Sequence, residues 1–179
     1  MAELPDEIIM GSVKRGNLSD LSVLFDRYHV KLYNFFLKLT FDRTVSQDLT
    51  QNLFYRIMKY RHTFNTDKSF KSWIYQMARN VHNDHFNQNR RTMDRFRHVE
   101  SYDHNIAEPV ENYSEEEFSR LDQALSKLHP DQLEIIVLSR YQGLNYEEIS
   151  RISNSTVAAI KIRMHRAIKH LREIYFKQA

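Results

Sequence analysis

The sequence predicts an all-α protein, two small helical domains joined by an acidic linker, the second carrying a helix-turn-helix. Three observations carry this expectation. The 179 residues include only three Gly and three Pro, so breakers are scarce. Apolar residues recur at three- and four-residue steps over long stretches, the period of one helix face. The period lapses between Thr92 and Ser114, where carboxylates gather around Pro109. The expected boundaries are 1–91 for the first domain, 92–114 for the linker and 115–179 for the second domain.

In the first domain, Leu21, Leu24, Phe25, Tyr28, Leu32, Phe35, Phe36 and Leu39 mark one face of a long helix. Phe41-Asp42-Arg43 breaks it. Thr44 stands three residues before Gln47, a capping-box spacing, and Val45, Leu49, Leu53, Ile57 and Met58 carry the next helix. Thr63 to Ser69 is polar and turn-prone, hence a loop. A third helix follows with Phe70, Trp73, Ile74, Met77 and Val81 inward. Three such helices can bury one shared core.

The second domain starts near Ser114, which has capping-box spacing to Glu117, and Phe118, Leu121, Leu125 and Leu128 line its first helix. Pro130 suits the first turn of the next helix, whose core includes Leu133, Ile136 and Val137. Gly143 can end that helix in a left-handed conformation. Asn145, with Glu148 three residues on, caps a short helix. The Ser153-Asn154-Ser155 break leads to a long basic one with Val157, Ile160, Met164, Ala167, Ile168 and Leu171 inward. Asn154 stands where Gly is usual, and Asn tolerates the left-handed conformation better than other side chains.

Charge is a matter of distribution, the formal net value being +3. Between Val99 and Phe118 lie Glu100, Asp103, Glu108, Glu111, Glu115, Glu116 and Glu117 with no Lys or Arg, and basic clusters flank them. That separation points to a polyanionic partner. The absence of Cys excludes disulfides, thiol catalysis and cysteine-ligated zinc. No stretch approaches the roughly 20 apolar residues of a membrane span, and the N-terminus lacks the pattern of a secretory signal. The expected location is the cytoplasm, without membrane insertion.

On the last helix Thr156, Ala158, Ala159, Lys161, Ile162 and Arg163 fall wholly or partly on exposed sides near its N-terminus, the end that enters a major groove. Small residues there allow close approach to bases, and Lys161 and Arg163 suit guanine or phosphate. A basic helix alone is more often a solvated face. The capped helix and tight break before it favour DNA. In the first domain, aromatics interleave with Lys68, Lys71 and Arg79, as in surfaces that hold unstacked bases. Phe70, Trp73, Ile74 and Met77 at helical spacing read more plainly as core. The polar loop before them is suited to capturing a flipped base.

Together these segments resemble the extracytoplasmic-function (ECF) sigma factors of bacterial RNA polymerase. LSVLFDRYHVKLYNFFLKLT resembles the opening helix of their promoter-melting domain, VSQDLTQNLFYRI the polymerase-binding helix and FNTDKSFKSWIYQMARN the −10-recognition segment. The stretch from Leu121 to Glu173 is similar to the −35-reading domain. The resemblance implies docking on core RNA polymerase through Asp48, Leu49, Gln51 and Asn52, with Asn52 where Glu is usual. It implies −10 contacts by Asn65, Thr66, Asp67, Lys68, Ser69, Lys71, Tyr75, Arg79 and Asn80, with Asn65-Thr66 in place of a common Arg-Gly pair. It implies −35 contacts by Thr156, Ala158, Ala159, Lys161, Ile162, Arg163 and Arg166. The partners would be core polymerase, promoter DNA and an anti-sigma factor, with no cofactor and no catalysis. In the family the acidic linker threads a channel otherwise used by RNA.

Two other readings stand beside this one. A stand-alone repressor or activator would use the helix-turn-helix alone on a palindromic site, without polymerase. An enzyme would need more than His82, Asp84 and His85, which lack a further nearby metal ligand, and no glycine has phosphate-loop spacing.

Overall fold

A computed structural model describes residues 4–97 and 120–177, all helix and connecting turns. The N-terminal segment, for which no element was expected, forms α1 (Asp6–Lys14). Asp6 and Glu7 complement the positive end of the helix, and Ile9, Met10 and Val13 are buried. The carboxylate of Asp6 accepts from Tyr28 Oη at 2.6 Å and pairs with Arg27, pinning α1 to α2 (Leu21–Thr40).

Helix α2 buries Leu24, Tyr28, Leu32, Phe35 and Phe36, as its period predicts. Phe25 does not join them: it is 43% exposed, its ring stacked on His29 and tilted against Phe54. Phe41 ends the helix at φ 54°, which turns Asp42 into extended backbone. Asp42 is therefore the cap of α3 (Arg43–Tyr60), its Oδ1 accepting from Val45 N at 2.9 Å, and the expected Thr44 cap falls inside the helix. Leu49, Leu53, Phe54 and Ile57 pack inward from α3. A 3-10 turn, Arg61–Thr63, leads through the loop to α4 (Phe70–Arg97), which runs past the expected boundary at Arg91.

The rest of the expected linker, with Ser114, Glu117 and Phe118, lies outside the described residues. From Arg120 onward the order is α5 (Arg120–Ser126), α6 (Pro130–Ile136), α7 (Tyr146–Ile152) and α8 (Val157–Lys177). Pro130 occupies the first turn of α6 as expected. A π-helical turn, Val137–Tyr141, continues from α6, and Gly143 at φ 63° turns the chain toward α7. Leu125, Leu128, Leu133, Ile136 and Val137 are buried, whereas Leu121 is 42% exposed.

The two helical blocks pack on each other: α4 lies against α7, and α2 against the π-helical turn. Their buried apolar side chains form one continuous cluster. Lys38 on α2 forms an ion pair with Asp122 on α5 and lies 5.1 Å from the centre of the Tyr141 ring.

Candidate nucleic-acid interface

The helix-turn-helix is assembled from local signals. Asn145 Oδ1 accepts from Glu148 N at 2.9 Å while Asn145 N donates to Glu148 Oε2 at 2.8 Å, a closed capping box at the start of α7. Asn154 takes φ 47° in the break, as its place in the sequence requires. Ser155 N then reaches back to Ser150 O at 2.9 Å. Thr156 Oγ1 accepts from Ala159 N at 3.2 Å, so this residue caps α8 as well as facing solvent.

Ile160, Met164 and Ala167 hold α8 to its core. Ala158, Lys161, Ile162, Arg163 and Arg166 are exposed, and Ala159 is half-buried. Ile162, at 54%, is a large apolar side chain left in solvent beside a lysine, a combination chemically suited to a thymine methyl and a phosphate. His165 shares this outer surface one turn beyond Lys161, a position the sequence reading did not single out. Arg163 and Arg166 turn toward a cleft of about 490 Å³ that they line together with Arg79 and Glu134.

The second candidate surface depends on long-range bracing. Phe64 is buried at 1%, its ring edge-on to Phe70 and Trp73 at 5.8 and 5.3 Å between centres. This aromatic cluster is core, as the plainer reading had it. Above it Asn65, Thr66, Asp67 and Lys68 are exposed, and Ser69 is half-buried. Asn65 Oδ1 accepts from Asp67 N at 2.9 Å and Asn65 O from Lys68 N at 3.0 Å, which folds the loop on itself. Helix α1 supplies the brace: Lys14 Nζ donates to Phe64 O at 2.7 Å, and Glu7 Oε1 accepts from Phe70 N at 2.8 Å. Gly11 brings α1 close, since a Cβ there would stand 3.3 Å from Thr66 Cγ2.

The remaining residues of this group lie on α4, and three of them face the other helical block. Tyr75 is 1% exposed and donates to Gln142 Oε1 at 2.7 Å, and burial raises its phenol above the usual range. Arg79 Nε donates to Glu134 Oε1, and Lys71 Nζ lies 3.9 Å from Glu148 Oε1. Burial raises the Glu134 carboxyl above its ordinary range, with Arg79 opposing that shift. Asn80 is exposed. The expected −10 residues are thus divided between an open loop and a covered stripe, with Asn80 exposed on α4 apart from both.

On α3, Asp48, Gln51 and Asn52 share an exposed face, with Tyr55 beside them at 57%. Leu49 does not belong to that face: it is 4% exposed, and its step along the helix turns it into the core. Asn52 Oδ1 accepts from Arg56 Nε at 3.3 Å, and Arg56 pairs with Asp84 on α4 at 2.7 Å. His82 is half-buried, and burial, with His85 nearby, lowers its pKa to about 4.

Comparison with known proteins agrees with this geometry. The family model for sigma-70 region 2 matches residues 24–92, and that for sigma-70 region 4 matches residues 118–171. The chain is 27% identical over 162 residues to the ECF RNA polymerase sigma factor SigX of Bacillus subtilis, covering 84% of this chain and 81% of SigX. It is also 27% identical over 157 residues to the RNA polymerase sigma factor CarQ of Myxococcus xanthus, covering 84% and 86%. Among solved structures, the fold is similar to CnrH, determined in complex with the cytosolic domain of CnrY. The TM-score is 0.75 at 21% identity, with 97% of this chain and 99% of that one covered. It is likewise similar to the sigma factor RpoE from Bartonella quintana, determined with the anti-sigma factor NepR. There the TM-score is 0.67 at 23% identity, covering 87% and 96%. Two region models matched in order, together over more than half of the chain, and relatives aligned over 84% of it lead to one assignment: the chain belongs to the ECF group of the sigma-70 family.

Proposed function

We propose that this chain is a non-catalytic, cytoplasmic specificity subunit that brings core RNA polymerase to promoters and helps to open them. The face of α3 bearing Asp48, Gln51 and Asn52 docks on polymerase. The exposed N-terminal part of α8 reads the −35 element as duplex, with Lys161 on its outer side and Arg163 at the cleft edge contacting guanine or phosphate and Ile162 contacting thymine methyls. The loop Asn65–Ser69 holds a flipped −10 base, while Asn80 and, once uncovered, Lys71, Tyr75 and Arg79 follow the melted strand. Flipping costs a few kcal/mol, which the loop and the single-strand contacts offset. An anti-sigma factor holds the chain inactive, as the complexes of the structural relatives suggest for this one.

The observation that supports this reading is the coexistence of two candidate nucleic-acid surfaces of different design on one chain. One is a grooved-helix reader built for duplex, and the other is a loop on an aromatic platform suited to a single base. A repressor needs only the first. The test is run-off transcription with purified core polymerase on a promoter library. Core-dependent transcripts are expected, with Lys161→Ala weakening use of promoters that depend on the −35 element and substitutions across Asn65–Ser69 changing the preferred −10 base. No transcript with core, or equal promoter use by all variants, would refute it.

A further inference from the structure

The outer face of α3 carries one side chain whose direction is set from behind. Asn52 stands one turn beyond Asp48 and next to Gln51, and all three are exposed. Arg56, one further turn along, bridges Asn52 and α4. Its Nε donates to Asn52 Oδ1 at 3.3 Å, and its Nη1 donates to Asp84 Oδ2 at 2.7 Å. The Arg56 side chain is 27% exposed, so this link is partly sheltered from water. A guanidinium is planar, so the bond to Asp84 aims the Nε–H, and α4 thereby orients a side chain on α3. Only an oxygen can face that N–H, because the amide nitrogen is itself a donor. The Asn52 carbonyl is therefore turned toward Arg56. The two N–H groups of Nδ2 point away from it, and Nδ2 donates to no other described residue.

We propose that Arg56, anchored by Asp84, is a positioning residue that presents Asn52 to core polymerase as a donor, and that the polymerase surface meets it with a carbonyl oxygen. The inference rests on the docking role assigned above to this face of α3. Docking through Asp48 calls for a donor or a cation on polymerase, since a carboxylate only accepts. Asn52 calls for the opposite one turn away. The face thus carries an acceptor followed by a donor at a four-residue step, and a partner must match both in order. A carboxylate opposite Asn52 would lie close to Asp48 and be repelled, which leaves a neutral carbonyl as the acceptor. The pattern also selects by rejection: a cation placed opposite Asn52 would face two N–H groups, with no oxygen to receive it. An amide freed from Arg56 would turn over and accept that cation, so the guanidinium supplies the discrimination.

The test is a titration of the full chain with core polymerase from the same bacterium, alongside urea unfolding of each variant. Asn52→Asp keeps the shape and replaces the N–H groups with an acceptor oxygen. It also gains an ion pair with Arg56 four residues on, so its stability should equal or exceed the parent's. Its affinity for core is nevertheless expected to fall on the order of tenfold, against about threefold for Asn52→Ala and for Arg56→Ala. In the Asn52→Ala background, Arg56→Ala should cost nothing further, because Arg56 acts through the amide. Asn52→Asp binding core as tightly as the parent would overturn the donor role. A loss on Arg56→Ala that persists beside Asn52→Ala would show that Arg56 touches polymerase itself and would overturn its positioning role. A loss in Asn52→Asp that disappears at high salt would overturn the carbonyl in favour of a carboxylate. The Asp48→Ala, Gln51→Ala double variant addresses the parent reading separately. If it binds core unchanged, docking through α3 falls and the orientation of Asn52 falls with it. If it binds weakly while Asn52→Asp does not, only the orientation falls.

Discussion

The two candidate DNA surfaces are made in different ways. The helix-turn-helix is local: its cap, its left-handed Asn154 and the stripe of α8 all lie within about thirty residues of chain, and the outer side of α8 is open. The loop surface is distributed: Phe64 and Asn65 are held by Lys14 and Glu7 from α1, and the stripe beside them is engaged by Glu134, Gln142 and Glu148. A local motif keeps its shape wherever its domain goes. A distributed one can be braced, or covered, by other parts of the chain, and is thereby open to control.

The sharpest way to separate the two is to remove the platform under one. Phe64→Ala deletes a ring buried against Phe70 and Trp73 and should cost about 3–5 kcal/mol of stability, measured by urea unfolding. Below its unfolding midpoint the variant should still bind −35 duplex like the parent while losing its −10 preference. An equal loss of duplex binding would show that the two surfaces are not separable.

A smaller effect comes from His82, whose folded pKa of about 4 lies below its ordinary value of 6.5. The folded chain keeps this ring neutral while the unfolded chain protonates it. The stabilising contribution is complete above pH 6.5 and is lost as pH falls toward 4, by at most about 3 kcal/mol. Thermal midpoints across this range should fall in the parent and fall less in His82→Gln. The groups around it are Asn83 and His85, with the Arg56–Asp84 pair linking α3 to α4 close by. A profile unchanged in His82→Gln would assign the pH dependence to other groups.

In the other domain the expected change is smaller still. Asn154 at φ 47° sits where an L side chain is strained, so Asn154→Gly should hold stability within about 0.5 kcal/mol, whereas Asn154→Val should lose about 1–2 kcal/mol. Both would be read from chemical unfolding, with −35 duplex binding following the stability. A change in −10 preference here would contradict the separation of the two surfaces.

What the sequence made legible follows the same division. The capping box, the left-handed Asn154 and the stripe of α8 were readable because each signal lies within a few residues of its effect. The cap of α3 was misplaced from Asp42 to Thr44 because two candidates compete there, and only the left-handed Phe41 selects the first. Helix α1 is marked by Asp6, Glu7 and the apolar Ile9, Met10 and Val13, but at nine residues it is too short for its period to stand out. Leu49 was assigned to a surface by resemblance, while its helical step puts it in the core. The covering of Lys71, Tyr75 and Arg79 had no local signal, because the partners of Tyr75 and Arg79 lie 67 and 55 residues away in sequence.

The finest test concerns the brace itself. Gly11 lies inside α1, where Ala is intrinsically favoured over Gly by about 1 kcal/mol. The added Cβ would stand 3.3 Å from Thr66 Cγ2, tighter than ordinary contact, and 3.6 Å from Arg15 Nη1. Thr66 is exposed on a loop and can shift by a few tenths of an ångström at small cost. Gly11→Ala should therefore raise stability by about 0.5–1 kcal/mol while displacing one residue of the loop proposed to hold the flipped base. The expected result is a chain that is more stable, reads −35 duplex as before and discriminates −10 bases differently in single-strand binding. Stability would then rise while recognition changed through one methyl group, which is what a surface built by bracing predicts. Unchanged −10 discrimination would mean that the loop keeps its shape without α1, and the distinction between a local and a distributed reader would lose its force.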